Sequence, residues 1–243
     1  MAAGKIRRMS KFSSPCALLG LLALLGHSGC GASIDSAAKA DIDQRLSAMV
    51  STGQSFAAPA VLVPKPFVVG QWTQHRLLNE KKEPSLITYK IVGEDSGAFW
   101  VEVANESYYG KTVTKLLLFI PDRANPQTME IRAVKMKDKD GRVSELQGAM
   151  VQLMRSAYEG AINMLAVSWQ GLPRESVSVT AGRFSDCFKA RTNASWGVWH
   201  ASSATWMHPV VPISGLVKSE GIDRPASMEL VGFGETGATS EIP

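Results

Sequence analysis

A run of short β-branched and aromatic segments, separated by turn residues, constrains this chain more than any other feature of its sequence. The segments follow one another at close spacing, which is typical of an antiparallel meander. The predicted strands are Val68–Leu78, Leu86–Val92, Ala98–Asn105, Val113–Ile120, Thr128–Met136, Ser176–Thr180, Arg183–Arg191, Trp196–Ala201, Gly215–Glu220 and Ser227–Phe233. Together they predict an antiparallel sheet of about ten strands.

One long amphipathic helix is predicted between the two runs of strands. Ser144 is a favourable N-cap with Gln147 three residues later, as in a capping box, and Gly171 and Pro173 lie just beyond the other end. Apolar residues recur between them in a wide stripe at helical spacing. The predicted fold class is therefore α+β, with a strongly curved antiparallel sheet wrapped around one long helix, Ser144–Ser168.

The first 29 residues have the pattern of a targeting segment. Lys5, Arg7, Arg8 and Lys11 make its start positive, and the uncharged apolar run Cys16–Gly26 follows. That run has 11 residues, whereas a membrane-spanning helix needs about 20 and a signal-peptide core about 7–15. We expect residues 1–29 to be a signal peptide and the chain to be exported.

Cys30 is the candidate site of lipid attachment. Ser28 and Gly29 precede it, and this ending resembles the lipobox of bacterial lipoproteins, in which a cysteine receives acyl chains. His27 departs from that pattern, because an apolar residue is expected there. Ordinary cleavage after Ala32 is the alternative. An acylated Cys30 would anchor the protein to a membrane, facing the periplasm or the cell surface, and the sequence does not choose between the inner and the outer membrane.

The mature chain divides into an N-terminal segment, residues 30–66, and a larger domain, residues 67–243. In the first segment, Ser33–Val50 is predicted to be an amphipathic helix and Ala57–Pro66 a Pro-rich extended connection. At the other end of the chain, the tail from Gly234 onward is small and polar, and it is predicted to be loosely held.

The charge distribution argues against one class of partner. The chain has 26 basic and 22 acidic residues, and residues 1–29 contain four of the basic residues and none of the acidic ones. From Cys30 onward, 22 basic residues therefore balance 22 acidic ones. The basic character belongs to the targeting segment, so no nucleic-acid partner is predicted.

No pattern of residues indicates catalysis, a metal site or a cofactor. The histidines of the mature chain lack the spacing of metal ligands, and no G-x-S-x-G turn is present. Glu102 and Glu106 are expected on a solvated face, and Cys187 is expected to be a buried structural thiol. We therefore predict a protein that is not an enzyme and that has no cofactor.

Five segments carry a resemblance to a known group of proteins. They are Val177–Phe184, Cys187–Ala190, Val198–Ser202, Val211–Lys218 and Met228–Gly234. These strand and turn patterns resemble envelope proteins related to the periplasmic lipoprotein carriers, the LolA-like group, and the resemblance covers residues 67–242. It implies an incomplete β-barrel around helices, with an apolar cavity between the sheet and the helices.

The resemblance and the helical stripe lead to a hypothesis about function. We expect a non-catalytic envelope lipoprotein that binds a lipid, an acyl chain or another apolar ligand in a half-barrel cavity. The alternative is a membrane-anchored interaction or sensory module that binds an envelope protein partner without a small-molecule ligand. The residues predicted to line the cavity are Met150, Leu153, Met154, Ala157, Tyr158 and Trp199.

Overall fold

The computed structural model describes residues 33–60, 65–121, 129–148, 151, 169, 171–196 and 199–243, and only the backbone of residues 192–196 and 199–201. Within these ranges the chain forms a short helix and twelve strands. In chain order they are α1 (Ser36–Ser47), β1 (Ser55–Phe56), β2 (Trp72–Leu78), β3 (Pro84–Asp95), β4 (Ala98–Ser107), β5 (Gly110–Phe119), β6 (Glu130–Lys137), β7 (Val143–Leu146), β8 (Arg174–Val179), β9 (Gly182–Trp196), β10 (Trp199–Met207), β11 (Leu216–Gly221) and β12 (Ser227–Gly234). All ten predicted strands are present with shifted ends, whereas β1 and β7 have no counterpart in the prediction.

The twelve strands join in one open sheet. Its order is β1-β9-β10-β11-β12-β2-β3-β4-β5-β6-β7, and β8 pairs with β9 beside that path. Every pair is antiparallel except β1 with β9. An open sheet of more than about ten strands rarely stays flat, because strand twist accumulates along it. Accordingly, the loop between β10 and β11 packs Ile213 into the cluster formed by β3–β6.

Turn residues fix the register of the hairpins. Asp95 pairs with Ala98, so the loop between β3 and β4 has only two residues. Both of them, Ser96 and Gly97, have positive φ angles, 50° and 75°. This is the conformation that two-residue hairpins favour, because its twist matches that of the strands.

Cross-strand pairing divides β2–β6 into two faces, since directly paired residues of antiparallel strands point to the same side. One side, here called the inner face, carries most of the apolar core. There Leu77, Ile87 and Val103 pack with Leu216 and Met228 from β11 and β12.

The opposite side, here called the outer face, is covered in part by α1. Asp35 caps this helix, and its carboxylate accepts hydrogen bonds from the backbone N–H groups of Ala37 and Ala38 at 2.9 and 3.1 Å. Ile42 is the buried apolar residue of α1, and Arg45 forms a 2.7 Å ion pair with Glu106. The predicted helix Ser33–Val50 is thus confirmed, with shorter ends.

The predicted fold class, α+β with a sheet wrapped around one long helix, is wrong: the described residues form mostly sheet with one short helix. The structure is 52% strand and 8% helical, and no long helix is wrapped by the sheet within the described ranges. Ser144, the expected N-cap, instead pairs with Met136, because Val143–Leu146 form the strand β7. A capping residue contributes only about 1 kcal/mol, and here the ladder to β6 prevails. Residues 149–150 and 152–168 of the predicted helix lie outside the described residues.

Candidate functional site

The structure does not test the residues that were predicted to carry a lipid or to line a cavity. Cys30, Met150, Leu153, Met154, Ala157 and Tyr158 lie outside the described residues. Trp199 begins β10, where its backbone pairs with Trp196, but its side chain is not among those described. These assignments stay predictions.

A cavity of about 550 Å³ lies where β6 meets β7. Apolar residues form part of its lining, and Ile131, Leu146 and Val151 belong to the cluster that β3–β6 form. Polar and charged groups complete the lining, among them Arg132 and Glu145. The cavity is an open cleft, and polar groups contribute about as much of its surface as apolar groups do.

Arg132 is the cation of this cavity. Its guanidinium carbon lies 3.9 Å from the centroid of the Phe119 ring, and its Nε lies 3.6 Å from a carboxylate oxygen of Glu130. A guanidinium held on an aromatic ring keeps its remaining N–H donors in a fixed plane. The cavity therefore combines an apolar wall with an oriented cation, which suits a ligand with an apolar body and a polar or anionic end.

Thr73 and His75 bring polar atoms into the inner face, two positions apart on β2. Both residues are fully buried. His75 Nε2 lies 3.1 Å from the carbonyl oxygen of Leu216, and the His75 ring meets the Tyr89 ring edge-on at 5.8 Å. Among the described residues, Thr73 Oγ1 and His75 Nδ1 have no hydrogen-bond partner.

Burial determines the protonation state of His75. It lowers the pKa of the imidazole to about 4, and the hydrogen bond to Leu216 opposes this shift only in part. The neutral ring has one N–H, which Nε2 donates to the carbonyl, so Nδ1 is an acceptor. The inner face thus holds a neutral acceptor and a hydroxyl for which the described part of the chain supplies no hydrogen-bond partner.

On the outer face, cross-strand pairing lines up charged residues from β3 to β7. Lys90 pairs with Glu102, Glu102 with Lys115, Lys115 with Lys135, and Lys135 with Glu145. The middle of this row is buried, since Glu102 is 0% exposed and Lys115 is 8% exposed. Burial lowers the pKa of Lys115, the charge of Glu102 opposes that shift and the charge of Lys135 adds to it.

The C-terminal tail covers this charged row. Glu102 accepts hydrogen bonds from the backbone N–H groups of Glu241 and Ile242, each at 3.0 Å, and from the Ser240 hydroxyl at 2.5 Å. Lys115 donates to the carbonyl oxygen of Ile242 at 2.5 Å. Ile242 itself is 0% exposed, so the tail is packed and not only tethered.

Two predictions are therefore wrong. Glu102 was expected on a solvated face, and it is buried because the tail supplies its hydrogen-bond donors. The tail from Gly234 was expected to be loosely held, and it is fixed by Glu102 and several lysines. One signal in the sequence points to this contact: Ile242 is an isolated large apolar residue in an otherwise small and polar segment.

The remaining reactive side chains of the described residues serve structural contacts. His208 Nε2 lies 3.0 Å from the carbonyl oxygen of Ala57, and burial lowers the pKa of His208. Cys187 is buried, as predicted, and burial raises the pKa of its thiol to about 12, which makes it a weak nucleophile near neutral pH. No group of three or more His, Cys, Asp or Glu side chains in the described ranges is placed to hold a metal ion.

Two further results concern the chain as a whole. Among the helices of the described residues, none has the length and apolar character needed to cross a membrane. No family model matches the chain, and no curated protein matches it.

The solved structures to which this chain is similar include two bacterial proteins. One is a predicted exported protein with a YmcC-like fold from Bacteroides fragilis, and the other is a predicted lipoprotein from Parabacteroides distasonis. Each is 13% identical to this chain with a TM-score of 0.31, and each match covers 73% of this chain and 100% of the other.

Proposed function

We propose that this protein is an exported, membrane-anchored lipoprotein that binds an apolar or amphipathic ligand and does not catalyse a reaction. The observation that carries the proposal is the cavity between β6 and β7, in which apolar walls stand beside Arg132. Apart from this cavity, Thr73 Oγ1 and His75 Nδ1 on β2 have no hydrogen-bond partner within the described ranges, and buried groups of this kind usually have a water or ligand partner.

The chemistry of the cavity favours a lipid or an acyl chain as its ligand. Each Å² of apolar surface that the partly exposed Leu146 and Val151 bury against a hydrocarbon contributes about 25 cal/mol. Arg132 would pair with the polar or anionic end of the same molecule. A ligand with both features fits this lining better than a purely polar metabolite would.

The membrane anchor of the proposal rests on Cys30 and the apolar run before it. Several acyl chains on one cysteine hold a protein stably at a membrane, since affinity grows by about 0.8 kcal/mol per buried methylene. Cys30→Ala should move the protein from the membrane fraction to the soluble periplasmic fraction. An intact mass that shows a mature N-terminus at Ser33 and no acyl group would refute the anchor.

Ligand binding is tested by native mass spectrometry of the mature protein purified from a bacterial envelope. We expect a non-covalent lipid or acyl mass in addition to any covalent lipid on Cys30. Ala133→Trp, which places a large side chain in the cavity lining, should remove that mass. Ala133→Ser is the matched control, since it leaves the space open, and it should keep the ligand.

Two results would contradict the proposal that the cavity binds a ligand. One is a wild-type protein that carries no lipid and takes up no added fatty acid or phospholipid. The other is an Ala133→Trp variant that melts like the wild type and still retains its lipid in full, because the cavity would then not be the site.

The alternative function is an interaction module, and the position of β7 favours it. β7 ends the path of the sheet in the described residues, so its outer edge offers backbone groups for pairing. Val143 on this strand is 47% exposed. A photo-crosslinking residue at Val143 should give one defined protein adduct in the envelope if this function holds, and one at Ile222, which is 48% exposed, serves as the control. Adducts that are equal at the two positions would argue against the module.

A further inference from the structure

The outer face of β3–β6 holds two consecutive residues of the tail through their backbone as well as their side chains. We propose that this face is a peptide-binding site for an extended segment in which an acidic residue precedes an aliphatic one. Glu241 and Ile242 of the same chain are its resident ligand. This site lies on the opposite face from Thr73 and His75, and the inference does not depend on the lipid ligand.

Side chains of the sheet bind the main chain of the tail. Glu102 accepts from the N–H groups of Glu241 and Ile242, each at 3.0 Å. Lys115 donates to the carbonyl oxygen of Ile242 at 2.5 Å, and Lys137 to that of Glu241 at 3.4 Å. Side chains of the sheet therefore bind all four polar backbone groups of this dipeptide. The dipeptide lies on the face of the sheet and does not pair with the edge of a strand.

The side chains of the dipeptide are recognised separately. The Glu241 carboxylate forms ion pairs with Lys90 at 2.5 Å and Lys111 at 2.7 Å. Ile242 is fully buried against Ala104 and Val113. The two lysines select an acidic residue, and the small apolar recess between β4 and β5 selects an aliphatic one.

Glu102 is the residue that makes the site depend on an occupant. Its carboxylate is 0% exposed, and Lys90 Nζ lies 3.8 Å from it on the same face. Without the tail, its oxygens would lose three hydrogen-bond donors. The strands β3–β6 hold Glu102 and the lysines in fixed register, so the site is preorganised for a peptide.

The resident segment is tethered close to the site. The Ala238 N–H donates to the carbonyl oxygen of Gly70 at 2.9 Å, only a few residues before Glu241. A tethered ligand has a high effective concentration, so a free peptide must compete against it. The wild-type protein should consequently bind an added peptide much more weakly than a protein whose own tail is released.

The experiment uses the full chain with Ile242→Asp, which places a charge in the apolar recess and should release the tail while leaving the site intact. The probe is an amidated synthetic peptide of residues 237–243, and binding is measured by calorimetry. We expect the Ile242→Asp protein to bind it roughly tenfold or more tightly than the wild type or the matched control Ile242→Val does. Glu102→Gln in the released protein should weaken binding by roughly tenfold or more, and Glu241→Ala in the peptide by roughly threefold to fivefold, because the ion pairs of Glu241 are partly exposed.

A folded Ile242→Asp protein that binds the peptide no better than Ile242→Val does would overturn the proposal. Binding to phosphatidylglycerol vesicles in place of the peptide would overturn it too, because the lysines would then be a lipid-binding surface. If the Ile242→Asp protein does not fold, hydrogen exchange of the wild-type protein tests whether the tail leaves the site. The amides of Glu241 and Ile242 should exchange roughly tenfold or more faster than that of Val103 in β4. Exchange of all three only through global unfolding would make the tail a permanent part of the fold and refute an exchangeable ligand.

Discussion

On the inner face of β2, Thr73 and His75 are fully buried, and each has a polar atom without a hydrogen-bond partner among the described residues. On the outer face of β4, Glu102 is equally buried, yet both of its oxygens accept hydrogen bonds from the tail. The same sheet therefore buries neutral groups unsatisfied on one side and a carboxylate fully satisfied on the other.

The difference shows which groups a fold can leave without partners. An unsatisfied hydroxyl or imidazole nitrogen costs about 1–3 kcal/mol, which a core of this size can absorb. An unpaired buried carboxylate costs far more, so it must either be paired or reach water. The outer face is accordingly the side on which the loss of one partner should have the larger effect, and the following changes test that.

Removal of the Glu102 carboxylate should lower the free energy of unfolding more than any other change considered below. Glu102→Ala removes the negative charge that stabilises the buried ammonium group of Lys115 and leaves the N–H groups of Glu241 and Ile242 unbound, so the free energy of unfolding should fall by about 3–5 kcal/mol. Glu106→Ala is the control, because the side chain of Glu106 is partly exposed beside Arg45, and it should cost about 1 kcal/mol. Urea unfolding of both variants measures the difference, and equal costs would contradict this account.

Acidification should destabilise the inner face through His75. The pKa of this residue is about 4 in the folded protein and 6.5 without burial, so between these pH values the unfolded chain binds a proton that the folded protein does not. Stability is therefore lost as pH falls from 6.5 toward 4, by about 3 kcal/mol for a shift of this size. Unfolding free energies at pH 7 and pH 4.5 measure the loss.

The control for this pH dependence is His75→Leu, which removes the titrating group. The pKa of His208 is also lowered, so this residue too should make the protein less stable at low pH. Some pH dependence should therefore persist in the variant. A loss between pH 7 and pH 4.5 that is as large in His75→Leu as in the wild type would show that His75 is not its source.

Removal of a hydroxyl that has a hydrogen-bond partner should cost more stability than removal of one that has none, although this difference should be smaller than the two effects above. Thr73→Val removes an oxygen without a partner and should leave the free energy of unfolding unchanged or raise it by up to about 1 kcal/mol. Thr205→Val is the counterpart, because the Thr205 hydroxyl lies 3.3 Å from that of Ser219, and it should cost about 1 kcal/mol. If Thr73→Val is the more damaging of the two in protein freed of lipid, the hydroxyl has a partner that this account leaves out.

The smallest effect concerns the ion pairs of Glu241. Burial tends to raise the pKa of this carboxyl, but hydrogen bonds and charges from Lys111 and Lys90 outweigh it and hold the pKa below its usual 4.5. A lowered carboxyl pKa contributes stability that is present above pH 4.5 and is lost as pH falls through the folded value. The contribution is at most about 1 kcal/mol, since the pair is partly exposed. Exchange of the Ile242 amide should speed up below pH 4.5 in the wild type, relative to its intrinsic rate, and not in Glu241→Gln.

The sequence predicted the strands well and the elements around them less well. Ten strands follow from β-branched and aromatic residues between turn residues, and positions such as Ser96-Gly97 mark a hairpin locally. β7 was not predicted, because Ser144 and Gln147 match a capping box and no pattern within Val143–Leu146 outweighs it. Only the pairing of that segment with β6 makes it a strand.

The candidate sites also differ in whether a local sequence pattern or only the tertiary structure reveals them. Lipid attachment at Cys30 is predicted from a local pattern, and it remains a prediction, as do the cavity residues from Met150 to Tyr158. Arg132, by contrast, has no sequence motif, and it becomes part of a site because β7 lies beside β6. The lysines of the outer face are scattered from Lys90 to Lys137, so a search for a basic run does not find them.

The sequence by itself determined ten of the twelve strands, the turns between them and the alternation of residues between the two sides of each strand, because these depend on neighbours within a few positions. Only the tertiary structure decided that Glu102 is buried. Its exposure depends on Glu241 and Ile242, far along the chain, and on the register that aligns Lys90, Glu102 and Lys115. Burial of a charge requires partners that satisfy it, and partners distant in sequence meet only when the whole sheet has formed.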